Sequence, residues 1–146
     1  MSSPTVSIAL PVFNGDRFLR EALDSILSQS FTDFELIISD NASTDGTRAI
    51  CMEYAASDTR VVYQRNDTNV GAAANFNSAF ERSRGQFFKW AAHDDILRPH
   101  FIDACVDLLR TGPDIVLAHT NVQVIDAHSQ VVCEHVFSEQ TEADDP

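Results

Sequence analysis

The strongest constraint on the fold is the regular alternation of short β-prone runs with amphipathic segments. Val6–Val12 is almost wholly apolar, which is typical of a strand covered on both faces. In the next segment apolar residues recur at helical spacing, namely Phe18, Leu19, Ala22, Leu23, Ile26 and Leu27. Strands that alternate with such helices predict an α/β fold, with a mostly parallel open sheet and helices on both faces.

The same alternation continues along the chain. After the first strand, further strands are predicted at residues 34–39, 61–64, 86–91, 115–119, 122–125 and 130–137. The first helix is predicted after an N-cap at Asp16, and the second at 44–57 with Thr44 as its N-cap. A third helix is predicted at 71–84, closed by Gly85, and a fourth at 99–109 with Pro99 in its first turn. The length of 146 residues predicts one domain, which we place at 1–138, followed by an acidic tail at 139–146.

The net charge excludes several classes of partner. With 10 Lys and Arg against 22 Asp and Glu, the net charge is −12, which argues against a nucleic-acid or anionic membrane surface. No apolar run approaches the roughly 18 residues needed to cross a bilayer, and no signal-peptide pattern is present. Cys51, Cys105 and Cys133 are too dispersed for a disulfide framework or a zinc site, so they are predicted to be buried thiols.

Polar turns follow each predicted strand, and in open α/β sheets the ligand crevice lies at these carboxyl ends. Asp40, Asp67, Asp94 and Asp95 are therefore predicted to converge on one edge. The adjacent Asp94 and Asp95 suit Mg²⁺ or Mn²⁺, which takes one or two carboxylates together with substrate phosphates. Local sequence leaves open a helix cap or a solvated loop for this pair, and an N-cap or Asx turn for Asp40.

Other residues of this rim favour a structural interpretation. His93, beside two acids, is predicted to hydrogen-bond a neighbouring carboxylate rather than to act as a ligand. Trp90 and the pair at residues 87–88 are predicted to belong to the core rather than to a sugar-stacking platform. The sequence contains neither a GxGxxG fingerprint nor a P-loop.

Together these motifs carry a family resemblance. Its residues are the run at 11–15 (Pro-Val-Phe-Asn-Gly), residues 18–31 and 33–47, Asn69-Val70-Gly71, Asn75, Gly85, and residues 93–97 (His-Asp-Asp-Ile-Leu) with Pro99. In this order they resemble the N-terminal half of family 2 glycosyltransferases over about residues 5–120. The resemblance implies a GT-A fold and inverting transfer of a sugar from a nucleotide-sugar donor, usually a UDP-sugar, to a sugar, lipid or polysaccharide acceptor.

The resemblance also implies roles for individual residues. Asp40 matches the aspartate that accepts a hydrogen bond from the nucleotide base, and Pro11, Phe13 and Asn14 match the loop around that base. Asp94 matches the metal-binding aspartate of the DxD motif, with Mn²⁺ or Mg²⁺ as the cofactor. The remaining matches imply substrate binding. His93 and Asp95 match positions beside the metal, and Gly71 and Asn75 match positions near the nucleotide.

The chain departs from the family pattern at two places. The first acid of the DxD motif falls at Ala92, so the contact with the ribose is predicted to be lost or moved to His93. The catalytic base and the acceptor loops of the family belong to a C-terminal half that we do not find in these residues.

Two alternatives from other classes remain open. One is a non-catalytic nucleotide-binding or interaction domain, which glycosyl transfer by a longer version of the chain would exclude. The other is a sugar-phosphate nucleotidyltransferase, but residues 11–15 lack the basic, glycine-rich loop that such an enzyme needs. We expect a cytoplasmic protein, and the resemblance implies peripheral association with the inner face of the membrane. An uncovered edge of the sheet would favour the formation of homo-oligomers.

Overall fold

The computed structural model describes residues 3–135, and these divide into two compact units at Asp103. The first unit contains β1 (Val6–Val12), α1 (Asp16–Leu27), β2 (Phe34–Asp40), α2 (Thr47–Ser57), β3 (Val61–Arg65), α3 (Ala72–Phe80) and β4 (Phe87–Trp90). Helix α4 (Phe101–Arg110) spans the division, and the second unit continues with β5 (Val122–Ile125) and β6 (Val131–His135).

The four strands of the first unit form one parallel sheet in the order β3-β2-β1-β4. Every residue of β1 and β2 is buried, as the apolar runs predicted. The chain moves outward from β1 through β2 to β3, and then crosses back to place β4 on the other side of β1. Because parallel crossovers are right-handed, this reversal puts α3 on the face opposite to α1 and α2.

The core forms on both sides of the sheet. Ala9 of β1, Ile37 of β2 and Ala79 of α3 pack together on one side, with Phe88 against them. Since side chains alternate along a strand, Ile8 and Leu10 point to the other side. The face of α1 predicted to be apolar is buried at Leu19, Ala22, Leu23 and Ile26. The predicted α/β class with a mostly parallel sheet is therefore confirmed.

Helices α1 and α2 begin differently from the prediction. Neither start has a side-chain cap, and the N-cap residues are Gly15 and Gly46. Asp16 is the first helical residue of α1, and its carboxylate accepts a hydrogen bond from the backbone N–H of Gly46 (3.0 Å). Thr44 lies before α2, where its backbone N–H donates to Oδ1 of Asn14 (2.8 Å). The two helices are thus stabilised at their starts by each other's loops rather than by their own caps.

Helix α3 is shorter than the pattern predicted. It ends at Phe80, because the backbone N–H of Arg84 donates to the Glu35 carboxylate (2.9 Å) and to Ser7 Oγ (3.1 Å) instead of continuing the helix. Gly85 therefore is not the residue that closes α3. A Cβ atom at Gly85 would lie 2.5 Å from the backbone nitrogen of Ser7, so close packing of the chain against β1 is what requires glycine here.

Three further expectations were wrong. Pro99 precedes α4, which begins at Phe101. Residues 115–119 pair with no other strand among residues 3–135, and Val116 and Leu117 are 91% and 75% exposed. Of the three predicted buried thiols, only Cys51 is buried, while Cys105 is half-buried and Cys133 is exposed.

The second unit contains the predicted hairpin. Strands β5 and β6 are antiparallel, with an irregular register between Val124 and Ile125. The sequence placed the second strand at residues 130–137, of which 136 and 137 lie outside the described residues. The end of the predicted domain at 138 and the predicted acidic tail at 139–146 also lie outside them.

Candidate functional site

A cavity of about 540 Å³ opens at the carboxyl ends of β1, β2 and β4. Its lining comes from four places: residues 11–13 at the end of β1, Asn41 after β2, residues 90–95 at the end of β4, and four residues around the start of α3, namely Asn69, Ala72, Asn75 and Phe76. Strands β1 and β4 are neighbours at the point where the strand order reverses, since β2 and β3 follow on one side of β1 and β4 is placed on the other. Ligands of open α/β sheets bind at such a reversal of strand order.

Hydrogen bonds between the loops after β1 and β2 fix the rim of this cavity. The backbone N–H of Asn14 donates to Ser43 Oγ (2.9 Å), and Oδ1 of Asn14 accepts from the backbone of Thr44 (2.8 Å). The backbone N–H of Gly15 donates to Thr47 Oγ1 (2.9 Å). Asn14 has a backbone φ of 53°, a left-handed conformation that asparagine tolerates better than most residues. Its observed contacts therefore connect the two loops, and it is not among the lining residues.

Asp40 is completely buried at the end of β2. Its Oδ1 accepts a hydrogen bond from the backbone of Ser43 (2.8 Å), and its Oδ2 accepts from the Tyr63 hydroxyl (2.9 Å) and from Arg65 Nη1 (2.5 Å). Burial raises the pKa of Asp40, but the hydrogen bonds from Ser43, Arg65 and Tyr63 lower it by more, so that the pKa lies below its ordinary value. The carboxylate is ionised, internally paired and outside the cavity lining.

A network of side-chain amides joins the end of β2 to the start of α3. Oδ1 of the buried Asn41 accepts from the backbone of Val70 (2.9 Å), and its Nδ2 donates to Asn69 Oδ1 (2.9 Å). Asn75, also buried, donates to the Ser39 carbonyl (2.9 Å) and accepts from Ser39 Oγ (2.8 Å). These bonds hold the residues between β3 and α3 against the sheet, and they form one wall of the cavity.

Gly71 marks the start of α3. Its φ of 86° belongs to a region that favours glycine. Its carbonyl accepts hydrogen bonds from Asn41 Nδ2 (3.3 Å) and from the backbone of Asn75 (3.2 Å). It therefore supports the cavity wall but does not line the cavity itself.

Asp94 and Asp95 differ from the other polar residues of the rim, because neither carboxylate accepts a hydrogen bond from the described residues. The Asp94 side chain is 55% exposed, and the closest pairing group is Nδ1 of His93, 3.9 Å from Oδ1. The His93 ring packs against Gly15, where a Cβ atom would lie 2.5 Å from the ring. This contact seats the loop after β4 on the loop after β1 and leaves both carboxylates at the cavity.

The donor set fits a divalent cation only in combination with other ligands. Within the described part of the chain, no group of three or more His, Cys, Asp or Glu side chains could hold a metal ion. Ala92 supplies no ligand at the first position of the DxD motif. Mg²⁺ and similar cations are commonly bound by one or two carboxylates together with substrate phosphates, and the adjacent carboxylates of Asp94 and Asp95 at the cavity fit the protein's share of such a site.

The predicted site residues fall into two groups. Six of them line the cavity, namely Pro11, Phe13, Asn75, His93, Asp94 and Asp95. Three do not, namely Asn14, Asp40 and Gly71, and these act in the walls around it. The exposed Asp67 also lies outside the lining, so the four carboxylates do not converge as the sequence predicted.

Sequence reasoning missed the aromatic part of the lining. Trp90 was expected in the core, yet it is 39% exposed, and Phe76 of α3 is 42% exposed beside it. Both rings line the cavity. A signal for them was available, since Trp90 ends the strand that leads to Asp94, and Phe76 lies one residue after a predicted site residue.

The reversed strand order and the cavity at the carboxyl ends define a Rossmann-like α/β domain. A family model described as glycosyl transferase family 2 matches residues 7–135. The chain therefore belongs to glycosyl transferase family 2, as the sequence motifs indicated.

Individual proteins with similar sequences are also glycosyltransferases or sugar-polymer synthases by name. Over 128 residues the chain is 31% identical to an uncharacterized glycosyltransferase of Rickettsia prowazekii, RP339, an alignment that covers 87% of this chain and 39% of that protein. Over 130 residues it is 30% identical to chondroitin synthase of Escherichia coli, covering 88% of this chain and 19% of that protein. The chain thus spans less than half the length of these relatives.

Solved structures with low sequence identity share the fold. S. aureus TarS 1–349 in complex with UDP-GlcNAc matches with a TM-score of 0.68 and 20% identity, over 83% of this chain and 40% of that TarS 1–349 chain. The mannosyltransferase PcManGT from Pyrobaculum calidifontis, in complex with GDP-Man and Mn²⁺, matches with a TM-score of 0.70 and 22% identity, over 79% of this chain and 34% of PcManGT.

One observation concerns membranes. Among residues 3–135, no helix combines the length and the apolar character needed to cross a bilayer.

Proposed function

We propose that this chain is the donor-binding half of an inverting glycosyltransferase that binds a nucleotide-sugar, most simply a UDP-sugar, with the help of Mn²⁺ or Mg²⁺. The observation that carries the proposal is the cavity at the carboxyl ends of β1 and β4, with the carboxylates of Asp94 and Asp95, which accept no hydrogen bond from the described residues, at its edge. Membership of the family supports the reaction class. The nucleotide-sugars bound to TarS and PcManGT support the class of donor.

Asp94 would hold the cation, and the donor diphosphate would complete the coordination. When bound, the cation would neutralise the charge that develops on the leaving diphosphate. The chain carries a formal charge of −12, so carboxylates without a cation would repel the diphosphate. This repulsion is the physical reason to expect binding of the donor to depend on the metal.

The other lining residues would orient the donor. Pro11 and Phe13 offer apolar surface for the nucleotide base, while His93 and Asp95 offer polar groups to the ribose or the donor sugar. Asn14, Asp40, Gly71 and Asn75 were expected to bind the nucleotide. We propose that they act mainly by holding the loops that form the binding surface, because their polar groups make the internal hydrogen bonds described above.

The acceptor reaction requires a base within hydrogen-bonding distance of the acceptor hydroxyl. We assign this role to none of the described carboxylates. The match covers 39% and 19% of the two relatives named above, and we propose that the base belongs to a part of the enzyme outside this match. We therefore expect donor binding from this chain without appreciable glycosyl transfer.

Titration calorimetry with UDP, UDP-GlcNAc and GDP-Man, in Mn²⁺ and in EDTA, tests the proposal. We expect binding of at least one nucleotide-sugar in Mn²⁺ and a loss of about tenfold or more in affinity in EDTA, equivalent to about 1.4 kcal/mol. In Asp94→Asn the affinity in Mn²⁺ should fall to about the EDTA level.

Asp67→Asn is the matched control, because it removes a charge from an exposed residue of the loop after β3 without touching the cavity lining. Its affinities should equal those of the wild type. Equal affinity in Mn²⁺ and in EDTA would refute the metal site, and the absence of binding to every nucleotide would refute the proposal as a whole.

A further inference from the structure

Two exposed aromatic side chains line the cavity and contact each other. Trp90 at the end of β4 and Phe76 of α3 both line the cavity and are 39% and 42% exposed. Their ring centroids lie 4.8 Å apart, with an angle of 47° between the planes. Exposed aromatic surface inside a cavity is costly to leave in water, and such a surface indicates a ligand that can cover it.

The position of the Trp90 ring is fixed from behind. Phe88, on the same side of β4, contacts it edge-to-face with the centroids 4.7 Å apart, and the Phe80 centroid lies 6.4 Å away. Because two further rings support it, Trp90 presents a preformed surface to the cavity. A preformed surface loses little conformational entropy when a ligand binds.

The polar groups around this aromatic surface are of two kinds. Asp94 and Asp95 follow Trp90 closely along the chain and line the same cavity. The amide network of Asn41 and Asn69 forms the wall on the β2 side. Between Trp90 and His93 the lining consists of two alanines, at positions 91 and 92. Small apolar side chains thus lead from Trp90 to the carboxylates, while Phe76 directly follows Asn75 of the amide network.

This combination fits a sugar ring better than a nucleotide base. A pyranose has a face of C–H groups that packs on an aromatic ring, and hydroxyl groups around its edge that donate to carboxylates. A base needs amide-type donors and acceptors at its edge, and the amides of Asn41 and Asn75 are already engaged in internal hydrogen bonds. We infer that the exposed surfaces of Trp90 and Phe76 bind the sugar ring of the donor, an inference that rests on the proposed function.

Trp90 is the only tryptophan of the chain, so its fluorescence reports on this surface directly. The chain is titrated in Mn²⁺ with UDP and UDP-GlcNAc, and in parallel with GDP and GDP-Man. At saturation, at least one nucleotide-sugar should change the Trp90 emission well beyond the change caused by its nucleotide. An equal change with the nucleotide alone would assign the aromatic surface to the base and overturn the inference.

Calorimetry of variants provides a second test. Trp90→Ala should lower the affinity for the nucleotide-sugar by about tenfold, the size expected for one lost ring contact, and should lower that for the nucleotide less than about twofold. Phe76 lies on the surface of α3, and Phe76→Leu should also lower the affinity for the nucleotide-sugar more than that for the nucleotide. This second variant keeps the test valid if Trp90→Ala does not fold.

Met52→Ala is the matched control, because Met52 is a large apolar residue of α2, is 52% exposed and does not line the cavity. Its affinities should equal those of the wild type. If nucleotides bind and the sugar contributes nothing, this inference fails while the proposed function stands. If no nucleotide binds, both fail.

Discussion

The buried carboxylate of Asp40 offers the sharpest test of how the rim is stabilised. Asp40→Asn keeps the size of the side chain and an acceptor for the backbone of Ser43, but it removes the charge from the hydrogen bonds with Tyr63 and Arg65. A hydrogen bond to a charged group contributes about 1 kcal/mol more than a neutral one. With two such bonds affected, we expect the free energy of unfolding to fall by about 2 kcal/mol near neutral pH.

The loss should depend on pH. The pKa of Asp40 is lowered in the folded state, so its contribution is present above the unfolded-state pKa of about 4 and disappears as the pH falls through the folded-state pKa. Wild type and Asp40→Asn should therefore converge in acid. This difference cannot arise from a residue whose only role is to contact the nucleotide.

Urea unfolding followed by circular dichroism, between about pH 7 and pH 2.5, measures the effect. Asp67→Asn is the control, since an exposed substitution of this kind should change stability by less than about 0.5 kcal/mol. An Asp40→Asn variant as stable as the wild type at neutral pH, or a loss that stays constant into acid, would refute the reasoning.

Two further predictions concern close packing and thiol accessibility. Gly85→Ala should lower the free energy of unfolding by about 1–3 kcal/mol, because the new Cβ would lie 2.5 Å from the backbone nitrogen of Ser7. Gly112→Ala is the control: a Cβ there would have no atom within 4 Å, so the free energy of unfolding in urea should change by less than about 1 kcal/mol. Equal losses in the two variants would contradict the packing argument. Burial, and next the charge of Asp40, raise the pKa of Cys51 to about 12. Iodoacetamide near pH 8 should therefore modify the exposed Cys133 and leave Cys51 unmodified, which mass spectrometry measures. Rapid modification of Cys51 in the native protein would contradict its burial.

The parallel sheet could be predicted because its signal is local. β1 occupies the bounds that its apolar run indicated, and α1 buries the predicted face. Helix ends were predicted less well, because distant groups decide them. Ser7 and Glu35 draw the backbone of Arg84 away from α3. The run at 115–119 has the composition of a strand, but composition alone does not supply a neighbouring strand to pair with.

The candidate site was predictable in position but not in the roles of its residues. The rule that ligands bind at the carboxyl ends of parallel strands located the cavity. From sequence alone, however, Asp40 and Asp94 share one property, since each is an acid shortly after a strand-like run, and the sequence does not show which of them is internally paired. What separates them is the set of partners. Tyr63 and Arg65 reach Asp40 from the neighbouring β3, whereas within residues 3–135 the Asp94 carboxylate has His93 nearby, at 3.9 Å, and accepts no hydrogen bond.

This difference in partners has a consequence for binding. Asp40, Asn41 and Asn75 are buried and fully engaged in hydrogen bonds, so the rim they support should be rigid before a ligand arrives. Asp94 and Asp95 retain unused acceptor atoms at that rim. A donor–metal complex would therefore meet carboxylates on a fixed surface and would lose little entropy by ordering loops. Weakening a rim residue should then lower donor affinity even though the residue itself does not contact the donor.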